Sequence, residues 1–372
     1  MDNERRKKLN DTLKKFNKKH KTEVFTLGSE IKELPVIPSG VKKIDDFLGG
    51  GFKRGGHTIV WGVYSSGKTA LVLQTLANAQ KMGLFVCFVN SEKPIDPSRF
   101  EFFGINLEEM VYIEAPEHAE QALEGMRSLC RDKVIDLFIV DSTNGLGPKN
   151  KQYTAKGQER ALEKKNVATT ALMLSEFYNT VNPHVFRSKA SVIWIGQGRV
   201  QGIGSFFVRM GLSCGEAQKF YAYQIISTRL GQGSDAPVQK FKEYFVDPDG
   251  KVRFSTVDEK IGFDVVLKME KTNSSRSVKK GQDLHVAYLD NKGFVDFVKN
   301  DEILVRIDSE MNDEEKKVIE NHLIEKKPEE AQQLGLIGCD ISDGKDETVI
   351  SEINKDGLKE KPKRKAKRKT KT

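Results

Sequence analysis

The stretch WGVYSSGKTAL, residues 61–71, decides the fold class of this chain. It contains Gly62 and Gly67, and Lys68 and Thr69 follow the second glycine directly. The apolar run HTIVWG that leads into it predicts a buried strand, and the residues after it predict a helix. Glycines let the backbone curl so that its N–H groups and the helix N-terminus face an anion. This context predicts a phosphate-binding loop.

Residues of this loop have chemistry suited to a nucleotide with Mg²⁺. Lys68 supplies a mobile positive charge, and the Thr69 hydroxyl can ligate Mg²⁺. A carboxylate is expected at the end of a neighbouring strand, where it would hold Mg²⁺ through water, and DLFIVDS supplies Asp141. The predicted nucleotide contacts here are Gly62, Val63, Tyr64, Ser65, Ser66, Gly67, Lys68, Thr69 and Asp141, with Thr69 and Asp141 as the metal site.

Short apolar strands alternate with helices on both sides of this loop. The predicted strands are HTIVWG, LFVCFVN, MVYIEA, DLFIVD and ASVIWIGQ, and the predicted helices span 68–81, 97–104, 118–131 and a long segment near 159–181. Buried strands that alternate with helices are typical of a parallel sheet covered on both faces. The sequence therefore predicts an α/β fold with a mainly parallel central sheet flanked by helices.

The segment before this core predicts a short arm. Leu9, Leu13 and Phe16 recur at helical spacing among lysines, which predicts an amphipathic helix over residues 5–19. VFTLGS at 24–29 predicts a short strand. The apolar stripe of the helix needs a partner surface.

The net charge of +8 is concentrated at the two ends of the chain. The last fourteen residues, KEKPKRKAKRKTKT, hold nine Lys/Arg and one Glu, and the first 21 residues hold nine Lys/Arg and three acids. Because these ends contribute +8 and +6, residues 22–358 carry a net charge of −6. Basic ends of this kind bind polyanions, and the alternative is a solvated tail that keeps the chain soluble.

Composition limits the class of protein. A chain of 372 residues that is 38% hydrophobic can bury a full-sized core. Its longest apolar runs fall short of the roughly 20 residues that a membrane span requires. The four cysteines lie far apart without a CxxC pair, which favours neither a disulfide framework nor a zinc site. We expect a soluble protein of a reducing, cytoplasmic compartment.

Two polar residues follow predicted strands near the phosphate loop. Glu92 comes after LFVCFVN, and Gln197 ends ASVIWIGQ. ATP hydrolysis needs a group that orients or deprotonates water, and such groups lie at the carboxyl ends of adjacent strands. A glutamate after a strand also fits a helix cap or a surface position, so each residue alone indicates little.

In combination these features resemble the RecA family of strand-exchange recombinases, which includes the RecA-like proteins of bacteriophages. The likeness runs from about residue 9 to about residue 300. It is carried by LPVIPSGVKKIDDFLGGG, GVYSSGKTALVLQ, VNSEKPIDPSRFEFFGI, EQALE before VIDLFIVDS, IGQGRVQGIG and EAQKFYAYQI. It implies an ATP- and Mg²⁺-dependent DNA-stimulated ATPase that forms helical filaments on single-stranded DNA and catalyses homologous pairing and strand exchange. Duplex DNA, single-strand-binding proteins and mediator proteins are the further partners that it implies.

The resemblance also assigns catalytic residues and segments. The glutamate that matches Glu92 is the family's catalytic carboxylate, and the glutamine that matches Gln197 senses the γ-phosphate beside Lys68. The expected segments are a polymerisation arm of helix and strand (1–36), a RecA-like ATPase core (37–300), a small C-terminal region (301–340) and a disordered tail with a basic end (341–372).

Two loops of the family contact DNA, and they match residues 149–165 and 198–216. Basic side chains there can meet phosphates, and apolar ones can stack on bases. A local hydrophobic cluster is the alternative role for Phe206 and Phe207. The expected DNA contacts are Lys149, Lys151, Lys156, Arg160, Lys164, Arg199, Val200, Ile203, Phe206, Phe207 and Arg209.

The sequence departs from the bacterial branch at three places. Arg99 stands where a tyrosine often stacks on the adenine, while Asp96 matches the acid that faces the adenine amino group. Of two lysines that reach a neighbour's ATP, Lys271 is present and Asn273 replaces the other, which puts cooperative hydrolysis in question. The tail is basic rather than acidic. The expected contacts across the subunit interface are Lys271, Phe220 and Lys219.

Two other classes share these motifs. A ring helicase or a clock-type ATPase would carry the same core, but would form closed hexamers and lack the segment 9–29. A filament modulator with a decayed ATPase would lack a catalytic carboxylate, and none is missing here.

Overall fold

The computed structural model describes residues 3–21, 25–31, 33–152, 169–201, 209–213, 215–232, 236–296 and 304–336. The helices are α1 (Asn3–His20), α2 (Lys42–Leu48), α3 (Lys68–Lys81), α4 (Pro97–Phe102), α5 (Ala119–Asp132), α6 (Lys149–Gln152), α7 (Thr169–Ser188), α8 (Ala217–Tyr221), α9 (Asp313–Lys326) and α10 (Pro328–Gln333). The strands are β1 (Val36–Ile37), β2 (Phe52–Lys53), β3 (Gly56–Gly62), β4 (Val86–Asn90), β5 (Met110–Glu114), β6 (Leu137–Asp141), β7 (Ser191–Gln201), β8 (Arg209–Leu212), β9 (Ala222–Leu230), β10 (Val238–Val246), β11 (Val252–Lys260), β12 (Gly262–Thr272), β13 (Asp283–Leu289), β14 (Gly293–Val295) and β15 (Leu304–Ile307).

A large sheet contains most strands of the described chain. Its strand order is β14-β13-β12-β9-β3-β7-β6-β4-β5, and β8 pairs with the extension of β7. Every pair from β9 to β5 is parallel, whereas β12, β13 and β14 add to the β9 side in antiparallel fashion. The predicted mainly parallel sheet is confirmed.

Helices bury both faces of this sheet. On β6, Leu137 and Ile139 enter one hydrophobic cluster, and Phe138 and Val140 enter a second. Helix α3 packs into the first cluster, and α5 and α7 pack into the second. Side chains alternate between the faces of a strand, so a strand covered on both sides reads as one continuous apolar run. Each fully buried Leu, Ile or Phe stabilises the fold by about 1.5–3 kcal/mol.

The N-terminal helix is exposed. In α1 no residue is buried, and the side chains of Leu9 and Phe16 are 41% and 45% exposed. The strand that we predicted over 24–29 is wrong for its described part, since residues 25–31 contain a 3-10 turn, Gly28–Glu30, and no strand. Asn17 explains the difference, because its side chain bonds both the N–H (3.1 Å) and the carbonyl (2.8 Å) of Phe25.

Two predicted boundaries in the core also differ from the structure. The long helix expected near 159–181 is α7, described from Thr169 to Ser188, and residues 153–168 lie outside the described part. Strand β7 was expected to end at Gln197 and continues to Gln201. Its last residues pair with β8, which gives their backbone groups partners and extends the strand.

The chain divides into two compact units. The larger comprises residues 1–239 and 258–302, and the smaller comprises 240–257 and 303–372. The smaller unit contains the sheet β11-β10-β15 and helices α9 and α10 around Tyr244, Ile319 and Leu323. In the described stretches, no helix combines the length and apolar character needed to cross a membrane.

Candidate nucleotide site and DNA-binding loops

The loop between β3 and α3 adopts the tight path expected of a phosphate-binding loop. Ser65 (φ +55°) and Gly67 (φ +83°) have left-handed backbone conformations, and α3 begins at Lys68. Gly62 approaches β9 so closely that a Cβ there would lie 2.3 Å from the carbonyl oxygen of Thr228. Only glycine allows this approach. Val63 and Tyr64 are exposed, Tyr64 by 83%, whereas Ser66 is buried.

The ammonium group of Lys68 lies against this loop. Its Nζ donates to the carbonyl oxygen of Val63 (2.5 Å) and contacts Ser66 Oγ at 3.5 Å. Burial lowers the pKa of Lys68, and the nearby charges of Asp141 and Glu92 oppose that shift. The cation is therefore held against the loop where the charges of two carboxylates act on it.

Thr69 and Asp141 form a direct contact. Thr69 Oγ1 donates to Asp141 Oδ2 at 2.9 Å. Burial raises the pKa of Asp141 to about 6, and the charge of Glu92 adds to that effect. Hydroxyl and carboxylate oxygens are ligands that Mg²⁺ prefers, and a divalent cation would favour the charged form of this buried carboxylate. The two residues fit a Mg²⁺ site.

Glu92 and Gln197 are brought together from different strands. Gln197 Nε2 donates to Glu92 Oε1. Glu92 follows β4, and its N–H donates to Asn90 Oδ1 at 3.3 Å. Gln197 pairs with Gly62, the first residue of the loop. The carboxyl ends of parallel strands meet at one edge of a sheet, and this places the pair beside the phosphate loop.

Asp96 and Arg99 lie at the start of α4. Asp96 is exposed and accepts a hydrogen bond from Ser98 N–H (2.9 Å), and this bonding to Ser98 lowers the pKa of Asp96. The guanidinium of Arg99 lies 5.2 Å from the ring centre of Phe103 and donates to Tyr288 Oη at 3.3 Å. In the described structure, Arg99 therefore stacks on an aromatic ring of its own helix end.

The three residues expected to contact a neighbouring ATP lie together, away from this chain's own phosphate loop. Lys271 Nζ donates to the carbonyl oxygens of Lys219 (2.8 Å) and Phe220 (3.0 Å), and burial lowers the pKa of Lys271. Phe220 is 78% exposed. Both α8 residues precede β9, where Ala222 pairs with His57 at the beginning of β3. The loop begins at the other end of β3, about 17 Å along the strand.

The first expected DNA loop, 149–165, is described only at its start. The backbone N–H of Lys149 donates to Glu120 Oε1 (3.1 Å) and Oε2 (2.8 Å), and the residue is exposed. The other expected contacts of this loop lie outside the described side chains: Lys151, Lys156, Arg160 and Lys164.

The second expected DNA loop, 198–216, begins as a β-hairpin. Gly198 pairs with Leu212 and Arg199 with Gly211. Arg199 is exposed. The other expected contacts of this loop lie outside the described side chains: Val200, Ile203, Phe206, Phe207 and Arg209.

Three polar residues join this site although the sequence analysis did not single them out. Asn144 Oδ1 accepts from the N–H of Gln197 (3.0 Å), Thr228 Oγ1 lies 2.6 Å from Ser66 Oγ, and Tyr288 holds Arg99. Asn144 and Thr228 lie close to the carboxyl ends of β6 and β9, so the rule that predicted Asp141 could have found them. Tyr288 lies on β13, which is antiparallel to its neighbours, so that rule does not apply to it.

Known proteins match this region of the chain. The family model described as the RecA N-terminal domain matches residues 7–262. Protein RecA of Thermotoga petrophila is 35% identical over 250 residues, which cover 65% of this chain and 67% of that protein. Protein RecA of Methylococcus capsulatus is 34% identical over 227 residues, covering 60% of this chain and 63% of that protein.

A solved structure, that of the RadB recombinase, superimposes with a TM-score of 0.48 and 21% identity, covering 71% of this chain and 100% of that one. The family assignment rests on the sequence matches. The matched residues 7–262 include the phosphate loop, both carboxylates, Gln197 and the β7–β8 hairpin. The chain belongs to the RecA family of recombinases.

Proposed function

We propose that this protein binds ATP between the subunits of a filament on single-stranded DNA, and that the filament performs homologous pairing and strand exchange in recombination and repair. As a RecA-type recombinase it is a DNA-dependent ATPase. One observation carries the proposal for this chain. The side chain of Gln197 donates to Glu92, and Gly198, the next residue of the chain, begins the β7–β8 pairing. A single residue thus belongs to the nucleotide site and directly precedes an expected DNA loop.

Each residue of the nucleotide site has a role in this proposal. Lys68 and the loop N–H groups hold the β- and γ-phosphates, and Glu92 deprotonates or orients the attacking water. Gln197 senses the γ-phosphate in this proposal, and its amide contacts Glu92 directly. Mg²⁺, held by Thr69 directly and by Asp141 through water, would neutralise phosphate charge when bound.

The base and the subunit interface use residues outside the loop. Asp96 accepts from the adenine amino group, and Arg99 presents its flat guanidinium to the base. Lys271, Lys219 and Phe220 contact the ATP of the next subunit. Their separation from this chain's own loop is consistent with that role.

The DNA contacts and the arm complete the proposal. The basic side chains of 149–165 and 198–216 bind phosphates, and the apolar ones stack on bases. The stripe of α1 docks on the next subunit, which is consistent with its exposure in the single chain. Sequence is read by base pairing, and affinity accumulates over many subunits. We place this activity in the cytoplasm, with single-strand-binding and mediator proteins as partners.

Strand exchange between a circular single strand and a homologous linear duplex tests this function. Joint molecules should form with ATP and Mg²⁺, and should fail with a heterologous duplex or with the Lys68→Ala variant. Electron microscopy of the same mixtures should show helical filaments. Closed hexameric rings that unwind the duplex without homology would refute the proposal in favour of a helicase.

A further inference from the structure

We propose that Asn144, Ser213 and Gln218 form a polar strut that transmits the state of the nucleotide site from Gln197 to helix α8. The three residues lie on the segment after β6, after β8 and in α8. The inference rests on the proposed function, because it supplies the route by which ATP would change the DNA-binding hairpin and the subunit interface. All three act through other residues, so their role is one of positioning.

At one end of the strut, two side chains hydrogen-bond to the backbone of Gln197. Asn144 accepts from the N–H of Gln197 (3.0 Å) and donates through Nδ2 to Ser213 Oγ (2.7 Å). Ser213 Oγ in turn donates to the carbonyl oxygen of Gln197 (3.1 Å). Both backbone groups of the residue that contacts Glu92 are therefore held by side chains. A shift of Gln197 must move Ser213 or break these bonds.

Asn144 is fixed on a firmly held segment. Thr143 N–H donates to the carbonyl oxygen of Ile195 (2.9 Å), and Ser91 Oγ donates to that of Ser142 (2.7 Å). This segment is thus tied to β7 on one side and to the end of β4 on the other. Because Asn144 itself cannot easily move, displacement of Gln197 is directed toward Ser213.

At the other end of the strut, a hydrogen bond connects Ser213 to α8. Gln218 is fully buried, and its Nε2 donates to the carbonyl oxygens of Ser213 and Gly215 (3.3 Å to Gly215). A buried amide is costly unless it is hydrogen-bonded, so its two donor bonds account for its place there. Its Oε1 has no hydrogen-bond partner in the described part of the chain. The return end of the hairpin is therefore tied to the helix by one side chain.

Helix α8 contacts two further parts of the molecule, so a displacement of α8 would affect both. Lys271 binds two of its carbonyl oxygens, and Phe220 projects from it into solvent. Tyr221 stacks on Tyr178 of α7 at 5.5 Å between ring centres. The loop that precedes α8 is equally close to α7, since a Cβ on Gly215 would lie 2.7 Å from Ala171 Cβ. Helix α7 follows the first expected DNA loop in the sequence, so the strut contacts the helix next to that loop as well as the second loop and the expected interface residues.

A merely structural network would behave differently from a strut. If these bonds only held the hairpin in place, their loss would lower thermal stability and weaken DNA binding equally with and without nucleotide. A strut instead controls the coupling ratio, which we define as the affinity for single-stranded DNA with a non-hydrolysable ATP analogue divided by the affinity without nucleotide.

The coupling ratio of three variants tests the proposal in the full-length protein. Gln218→Met keeps the volume and the burial but removes both donors, and it should leave ATP affinity and DNA-free turnover unchanged while lowering the ratio about three- to tenfold. Ser213→Ala should lower the ratio similarly, and Ser213→Thr, which keeps a hydroxyl, should restore it. Ser188→Ala is the matched control, because that hydroxyl also bonds backbone groups, at the end of α7.

The double variant Ser213→Ala/Gln218→Met gives the sharpest result. If the residues form one route, the coupling ratio of the double variant should fall no further than that of the worse single variant. If the contacts act independently, the fold-losses of the two single variants should multiply. Ratios within twofold of wild type for Ser213→Ala and Gln218→Met would overturn the strut, as would multiplicative losses in the double variant. If Gln218→Met does not fold, the serine pair decides alone. A wild-type ratio of one would refute the proposed function together with the strut, whereas a large wild-type ratio that no variant changes refutes the strut alone.

Discussion

Replacing Glu92 by glutamine should separate ATP binding from ATP hydrolysis. The change retains the shape of the side chain and a carbonyl oxygen that can accept from Gln197 Nε2, the contact that joins the two residues. The N–H bond from residue 92 to Asn90 Oδ1 belongs to the backbone and is unaffected. What the variant loses is the negative charge and the ability to take a proton. We therefore expect normal ATP affinity with little turnover.

The size of the effect follows from that loss. General base catalysis contributes about 10²- to 10⁴-fold, so turnover should fall by at least about 10²-fold, equivalent to ~2.7 kcal/mol in the activation barrier. ATP affinity should stay within a few-fold of wild type, because Lys68 and the loop backbone are unchanged. The protein should then remain on single-stranded DNA in the presence of ATP long after wild type has dissociated.

Three measurements on matched variants check this expectation. These are steady-state ATP turnover with saturating single-stranded DNA, ATP affinity from the fluorescence of Trp61 next to the loop, and the dissociation rate from DNA. Glu114→Gln is the control, since that residue also carries a carboxylate at the end of a strand, β5, where its backbone is in register with Asn90 of the adjacent strand β4. It should behave as wild type. Unchanged turnover in Glu92→Gln, or loss of ATP binding, would show that the catalytic carboxylate lies elsewhere.

Three further predictions concern the loop and the two ends of the chain. Lys68→Ala should weaken ATP binding about tenfold or more and abolish nucleotide-dependent filaments, and filaments of normal length by electron microscopy would contradict the phosphate-loop assignment. Removal of residues 1–29 should leave a folded core that binds ATP and does not polymerise. The reason is that a helix as short as α1 is marginally stable alone and, in this proposal, docks its apolar stripe on the next subunit. Light scattering equal to that of wild type, in the presence of ATP and DNA, would refute this. Ending the chain at Leu358 should flatten the salt dependence of DNA binding by ~0.7 per lost phosphate contact on single strands, and parallel log–log lines would exclude the tail as a DNA-binding element.

Much of the core could be predicted from the sequence because its signals are local. The apolar runs predict strands buried on both faces, and the glycine-rich loop predicts where β3 ends and α3 begins. The closeness of Asp141 to Thr69 follows from the same logic, since parallel strands bring their carboxyl ends to one edge.

Features that depend on distant partners could not be predicted. The strand expected at 24–29 fails because Asn17 takes the backbone groups of Phe25, a contact that no pattern in either segment reveals. The extension of β7 requires β8, whose short sequence RMGL has no strand signature. The smaller unit joins 240–257 to residues after 303, and only tertiary packing around Tyr244 reveals that link.

ATP turnover of the wild-type protein, measured with and without single-stranded DNA, tests the central claim most directly. The account predicts slow turnover alone and a severalfold or greater rise with DNA, because DNA bound by the β7–β8 hairpin acts on Gln197 and hence on Glu92. The rise should be absent in Lys68→Ala. Equal turnover under both conditions, in a preparation that binds DNA and ATP, would contradict the claim that Gln197 joins the two sites.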